Sequence, residues 1–264
     1  MTKRQSKSQA KLTSIALRIQ DVGLSYDGST FVVDKARFDV KEGETFGLIG
    51  LNGAGKTTLI KAIMSMRRQQ KGVIEIFDVP SDKTDSRQSL AFLPERFEPP
   101  WFLSGREFVK FTLSLYKKSY NEDELLTFAD QLALSRDALK RRVQTYSKGM
   151  RQKLGLIATL MTKCSLLVLD EPMSGLDPKA RVKVKEVLSE QKKAHPSLTI
   201  FLSSHILSDM DEICDRVAVL DDTRIKFVGQ PKTLKTKTKA KNLEAAFLSL
   251  IEPTHTDEKK KATS

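Results

Sequence analysis

Near its start the chain alternates. Ile15, Leu17 and Ile19 interleave with Ala16, Arg18 and Gln20, a period of two that predicts a half-buried strand. β-like runs at Phe31 to Val33 and Phe38 to Val40, punctuated by "DGS" and "KEGE", extend this into an antiparallel β lobe. The pattern then changes to four short, continuous apolar runs, each stopping at a polar or glycine-rich feature. "ETFGLIG" leads into a glycine loop, "SLAFLP" to Glu95, "SLLVL" to Asp170 and Glu171, and "TIFLSS" to His205. Runs of this kind read as parallel strands buried on both faces, and in open α/β sheets ligands sit beyond the carboxyl ends of such strands. Between the second and third runs the spacing turns helical: "SGREFVKFTLSLY", "NEDELLTFADQLAL" and "SRDALKRRV" predict an inserted helical lobe over about residues 97–160. After Val228 comes a Lys/Thr-rich linker, then the amphipathic "NLEAAFLSLI", whose Leu243, Ala246, Phe247, Leu250 and Ile251 share one face and predict a core-covering helix, then a frayed tail. The division expected is a basic tail at 1–14, one α/β domain at 15–230, and a linker, helix and tail at 231–264.

Composition narrows this picture. A length of 264 residues suits one substantial domain with a smaller lobe, and 39% apolar with 30% charged residues is ordinary for a globular protein. The longest apolar stretch, Leu154 to Leu169, is broken by Lys163, so the chain is not expected to span a membrane, and the basic start does not read as a secretory signal. Cys164 and Cys214 are too few for a disulfide framework or a thiolate metal site, which fits a reducing cytosol. The net charge of +12 is concentrated: residues 1–18 (Lys3, Arg4, Lys7, Lys11, Arg18) and 232–241 (Lys232, Lys235, Lys237, Lys239, Lys241) supply ten of the twelve excess charges without a single acid. Such tracts serve as solvated tails, as attraction to an anionic membrane surface or as nucleic-acid contacts.

The chemistry lies at the ends of the apolar runs. Gly50, Leu51, Asn52, Gly53, Ala54, Gly55, Lys56 and Thr57 fit G-x-x-x-x-G-K-[ST], between a predicted strand and the helical "TTLIKAIMSM", which begins with Thr57 and Thr58. Glycines let backbone amides turn inward on phosphate oxygens, the helix start adds its positive end, Lys56 neutralises the β- and γ-phosphates, and the Thr57 hydroxyl is suited to Mg²⁺. Asp170 is placed to hold the same Mg²⁺, and Glu171 beside it to orient or deprotonate an attacking water. His205, closing another run, is within range of a γ-phosphate if the strands align; a lone histidine is otherwise a packing residue.

Taken in order, these motifs resemble the ATPase subunits of ATP-binding cassette (ABC) transporters from about Ile15 to Ile251. "GLNGAGKTT" resembles the Walker A loop, "LLVLDEP" the Walker B strand with catalytic Glu171, "SGLD" the D-loop and "SSH" the switch histidine, with the helical lobe inserted between Walker A and Walker B. The resemblance implies an α/β fold of the P-loop NTPase, ABC type: a mixed and largely parallel core sheet, an antiparallel β lobe and the helical insertion. It implies ATP and Mg²⁺ as ligands, with Tyr26 stacking on adenine; a tyrosine in "LSYDG" could equally serve packing or a turn. "YSKGM" stands in place of the family's LSGGQ signature. Ser147 and the amides around Gly149 would therefore hold the γ-phosphate of an ATP bound by a second ATPase subunit, as in a homodimer or a heterodimer, and Asp177 would touch that subunit. Asp177 before Pro178 also makes a good helix cap, and the two roles are compatible.

Three positions depart from the family pattern: Lys148 replaces a glycine, Met150 a glutamine, and Glu95 the usual Q-loop glutamine. Glu95 can still ligate Mg²⁺ but cannot donate a hydrogen bond. The resemblance implies an exporter-like ATPase attached peripherally to the cytoplasmic face of the inner membrane and powering a separate permease, with no nucleic-acid partner. An importer subunit, or a soluble ABC ATPase of translation or DNA maintenance, is the alternative. The stretch Glu95 to Gly105, "ERFEPPWFLSG", either offers Trp101 and Phe102 to a helix of the permease or packs on its own helical lobe.

Overall fold

The computed structural model describes residues 14–251. Residues 1–13 of the basic tail expected at 1–14, and the tail from 252 onward, therefore lie outside the described residues. In chain order the strands are β1 Ile15–Ser25, β2 Phe31–Lys41, β3 Thr45–Ile49, β4 Lys71–Ile76, β5 Val79–Pro80, β6 Leu90–Leu93, β7 Leu166–Asp170, β8 Thr199–Ser204, β9 Arg216–Asp221 and β10 Arg224–Gly229. The helices are α1 Lys56–Ile63, α2 Gly105–Leu115, α3 Glu122–Gln131, α4 Lys148–Met161, α5 Pro178–Ala194, α6 Leu207–Ile213, α7 Pro231–Thr238 and α8 Leu243–Ile251.

Two sheets form. One is antiparallel with order β2-β1-β4-β5; the other has order β10-β9-β3-β8-β7-β6, parallel from β9 to β6 with β10 antiparallel at its edge. The two β-like runs expected in residues 31–40 are one continuous strand paired along β1.

The parallel strands read as continuous apolar runs because each feeds two cores. Phe46 and Leu48, Leu166 and Val168, and Phe201 face the antiparallel sheet and α1; Ile49, Leu167, Leu169, Ile200 and Leu202 face the helical side. The first core is centred on a stack of Phe38, Phe46 and Phe201, with Phe46 5.2 Å from Phe38 and 6.0 Å from Phe201, which joins the two sheets. On the other face, α2, α3 and α4 fill the chain between β6 and β7. Each starts on a polar cap: Ser104 with Glu107 in a reciprocal capping box, Asn121, and Ser147.

The Lys/Thr-rich stretch expected as a linker is helical over Pro231–Thr238. Pro231 occupies its first turn, Leu234 is buried, and Lys235 pairs with Asp211 at 2.7 Å. Burial of one leucine and one ion pair outweighs the weak helix propensity of the threonines. The helix Leu243–Ile251 forms as expected and buries Leu243, Ala246 and Phe247.

Candidate nucleotide site

Parallel pairing aligns the ends of the apolar runs. Ile49 at the end of β3 sits opposite Ser204 of β8, and Asp170 at the end of β7 opposite Ser203. The glycine loop, the carboxylates and the histidine thus reach one edge of one sheet, as the sequence pattern predicts. Tyr26, Leu51, Lys56, Thr57, Glu95 and Glu171 are among the residues lining a cleft of about 680 Å³ there, with Asn52, Gly53, Gly55, Thr58 and His205. That volume lies within the usual range for small-molecule sites.

The loop is shaped by two close approaches. Gly55 has φ +107° and packs so tightly on β2 that a Cβ would lie 2.9 Å from Val33 Cγ2; a Cβ on Gly50 would lie 2.5 Å from the Leu220 carbonyl oxygen. No side chain caps the start of α1 and no acid occupies its first turn, so its leading amides face the cleft as a positive helix end. Ala54 closes the loop through its N–H to the Leu51 carbonyl at 3.2 Å. The Lys56 ammonium is buried, donates to Gly50 O at 2.8 Å, and lies 3.6 Å from Glu171 Oε1.

Asp170 is only 1% exposed. Burial pushes its carboxyl above the usual carboxylate range, the charges of Glu95 and Glu171 add to this, and hydrogen bonds from Ser203 and Thr57 work against it. The Thr57 hydroxyl and the Asp170 carboxyl, the two groups expected to share a metal, therefore lie near one another. Glu171 sits at φ +50°, a left-handed conformation that costs a non-glycine residue energy and clusters at functional sites. Its Oε2 lies 2.9 Å from His205 Nδ1. Lys56, Glu171 and His205 form a continuous chain of contacts along the mouth of the cleft.

Ser203 holds this arrangement, although no motif marks it in the sequence. Its hydroxyl donates to Asp170 Oδ1 at 2.6 Å and accepts from the Glu171 backbone N–H at 3.0 Å, so one buried group fixes both neighbouring acids. The signal that could find it is positional: with parallel register, the serine pair closing "TIFLSS" must fall beside the acids closing "SLLVLD". Ser203→Ala is expected to destabilise the fold by about 1–3 kcal/mol, because the amide of Glu171 loses its partner in a buried place. Urea unfolding that places the variant at wild-type stability would remove Ser203 from this role.

Ser147, Gly149 and Asp177 do not line the cleft. Ser147 caps α4 by accepting from Met150 N–H at 3.2 Å, and its own hydroxyl proton has no partner among the described residues. Asp177 caps α5 by accepting from Ala180 N–H at 2.9 Å, and that amide helps hold its carboxyl below the usual range. The two caps belong to adjoining segments: a Cβ on Gly149 would lie 3.3 Å from Leu176, and the Lys148 stem crosses Gly175.

Around Trp101 the backbone and the side chains divide their roles. Trp101 O and Leu103 O accept from Gln144 N–H and Val143 N–H, which ties the segment to the helical lobe. Trp101 and Phe102 remain 63% and 56% exposed, edge to face at 5.7 Å. Among the described residues no helix is long and apolar enough to cross a membrane.

A phosphate-type glycine loop between a parallel strand and a helix, strand-end acids beside it, an antiparallel β lobe and helices inserted before the acid strand define the α/β ATPase fold of the ABC type. Residues 33–174 match the ABC transporter family, and the chain belongs to it. An uncharacterized ABC transporter ATP-binding protein of Synechocystis is 39% identical over 184 residues, covering 69% of this chain and 51% of its own length. The fluoroquinolones export ATP-binding protein of Mycobacterium tuberculosis is 33% identical over 234 residues, covering 86% of this chain and 75% of its own. A solved ATP-binding subunit of an ABC transporter superposes with a TM-score of 0.76 at 29% identity, covering 89% of this chain and 99% of the other. The chain spans about half the length of the Synechocystis relative.

Proposed function

We propose that this chain binds and hydrolyses ATP and, as one of two ATPase subunits, powers a separate transmembrane permease in the direction of export. The observation that carries the reading is the buried group of Lys56, Asp170, Glu171 and Ser203 at the mouth of the glycine loop, with His205 beside it.

Leu51 to Thr58 cradle the phosphates with backbone amides, and Lys56 exchanges its carbonyl partners for phosphate oxygens. Glu171 orients a water toward the γ-phosphorus and accepts its proton; the bond from that phosphorus to the bridging oxygen breaks, leaving ADP and phosphate. His205, touching Glu171, steadies that carboxylate and reaches the γ-phosphate. Tyr26 carries the adenine. Mg²⁺ fits the donors present. The Thr57 hydroxyl lies near Asp170, Glu95 lies on the same cleft, and among the described residues no group of three His, Cys, Asp or Glu forms a metal cage. Such a set suits an ion bound mainly through phosphate and water, which supplies neutralisation of charge on the phosphates.

Ser147 and the amides about Gly149 do not line the cleft, and a second copy would bring them to a γ-phosphate. That supports two nucleotides sandwiched between two subunits, with Asp177 at the seam. The exposed pair Trp101 and Phe102 suits a cytoplasmic helix of the permease, since large aromatic anchors dominate interfaces. Export is favoured by the name of the mycobacterial relative. Docking on a permease would hold the chain at the cytoplasmic face of the inner membrane.

The deciding experiment is affinity capture of the tagged chain from detergent-solubilised membranes, with magnesium-dependent phosphate release assayed on the captured material. A polytopic membrane protein recovered with the chain, and ATP turnover by the pair, is the expected result. Recovery with ribosomes or DNA-repair complexes instead would overturn the transport reading.

A further inference from the structure

The platform assigned to adenine is already occupied on one side. The guanidinium of Arg67 stands 3.9 Å from the centre of the Tyr26 ring, a cation–π contact across 41 residues of chain. The ring is also held by its edge, with Tyr26 Oη 3.0 Å from Thr58 Oγ1. Tyr26 is among the residues lining the nucleotide cleft and Arg67 is not.

The surroundings keep both partners in place. Arg67 Nη2 donates to the Ser25 carbonyl; Gln70 Oε1 accepts from Ser25 N–H at 2.8 Å, and Gln70 N–H donates to Gly23 O at 2.9 Å. The segment after α1 thus grips the last turn of β1 immediately before Tyr26. On the other side, Asp27 accepts from the Ser29 and Thr30 amides at 2.9 and 2.7 Å, closing the turn after Tyr26. Arg67 Nε is buried and has no hydrogen-bond partner among the described residues, so the guanidinium is committed through its face and one nitrogen. An isolated tyrosine that is 67% exposed would sample several rotamers; this one is fixed by backbone, edge and face.

We propose that Arg67 is a positioning residue for the nucleotide base: it backs the Tyr26 ring so that a purine stacks on the opposite, cleft-facing side. The inference rests on the reading of Tyr26 as the base platform. Its physical advantage is preorganisation, since the ring's freedom is lost on folding and not on binding.

Magnesium tripolyphosphate has neither base nor sugar, so its affinity reports the phosphate cradle alone. Titration calorimetry on the full chain with MgATP and with magnesium tripolyphosphate gives a ratio that isolates the base. Arg67→Ala is expected to weaken MgATP about 2- to 10-fold, the range of a cation–π contact, while tripolyphosphate binds as in wild type. Arg67→Lys, which restores the cation without the planar face, should recover part of the loss. A wild-type ratio in Arg67→Ala overturns the proposal, including the case where both affinities fall together, as general loosening would produce. Tyr26→Ala separates the role of Arg67 from that of the ring. Loss of the ratio there but not in Arg67→Ala sinks only the role of Arg67; a ratio unmoved in Tyr26→Ala sinks the base platform itself. If Arg67→Ala does not fold, Arg67→Gln keeps a donor for Ser25, removes the cation and makes the same test.

Discussion

Glu171→Gln protein is expected to bind MgATP, to lose turnover by about 10²–10⁴-fold, the usual worth of a positioned general base, and to accumulate as a nucleotide-bound dimer. The substitution preserves shape and the contact with His205, since a glutamine amide still meets an imidazole nitrogen. It removes the one property the reaction uses, an oxygen that can take a proton. It also removes a negative charge 3.6 Å from the Lys56 ammonium, which frees that ammonium for phosphate, so nucleotide affinity is expected to hold or rise. The dimer is expected to accumulate because, in a site shared by two subunits, hydrolysis would be what releases the γ-phosphate from between them. Phosphate release and sedimentation, measured on the same preparation, check both halves. Wild-type phosphate release would move the catalytic role away from Glu171; lost turnover without a dimer would leave the chemistry standing and undo the shared site.

The core of the site is legible in the sequence for a reason peculiar to parallel sheets. β3, β7 and β8 are buried on both faces, so they appear as unbroken apolar runs, and the residue that ends each run is necessarily at the sheet edge. Gly50, Asp170, Glu171 and His205 can therefore be gathered from the order of residues alone. Two other strands are harder. β4 and β10 are partly exposed and carry Lys71, Glu75, Arg224 and Lys226, so neither period stands out. Helix α7 is concealed by its lysines and threonines, and is set by Leu234 and Asp211, which are distant in sequence from one another. Ser203 needs the strand register to acquire meaning. The contact of Arg67 with Tyr26 leaves no local mark at all, because a cation–π pair between two loops has no period and no spacing.

The signature segment makes the strongest demand on the second subunit. Ser147→Arg is expected to bind MgATP as a monomer with unchanged affinity, to form no nucleotide-dependent dimer even when combined with Glu171→Gln, and to lose turnover by at least about 100-fold, the scale for withdrawing a donor from developing charge. The arginine fills the space above the start of α4, where a triphosphate held by another chain would have to sit, and leaves the glycine loop of its own chain untouched, since Ser147 does not line that cleft. One side effect must be separated from this. Ser147 caps α4, and losing a cap costs about 1 kcal/mol, so the variant should melt at a slightly lower temperature. Ser147→Gly provides the control: glycine is tolerated at a cap with a penalty of only a few tenths of a kcal/mol, and it removes the hydroxyl without adding bulk. A graded series, with Ser147→Gly impaired in turnover but still dimeric and Ser147→Arg monomeric, follows from a phosphate held between subunits. Loss of ATP binding by monomeric Ser147→Arg at undiminished stability would mean that the serine serves the nucleotide of its own chain, and the two-subunit site would have to be abandoned.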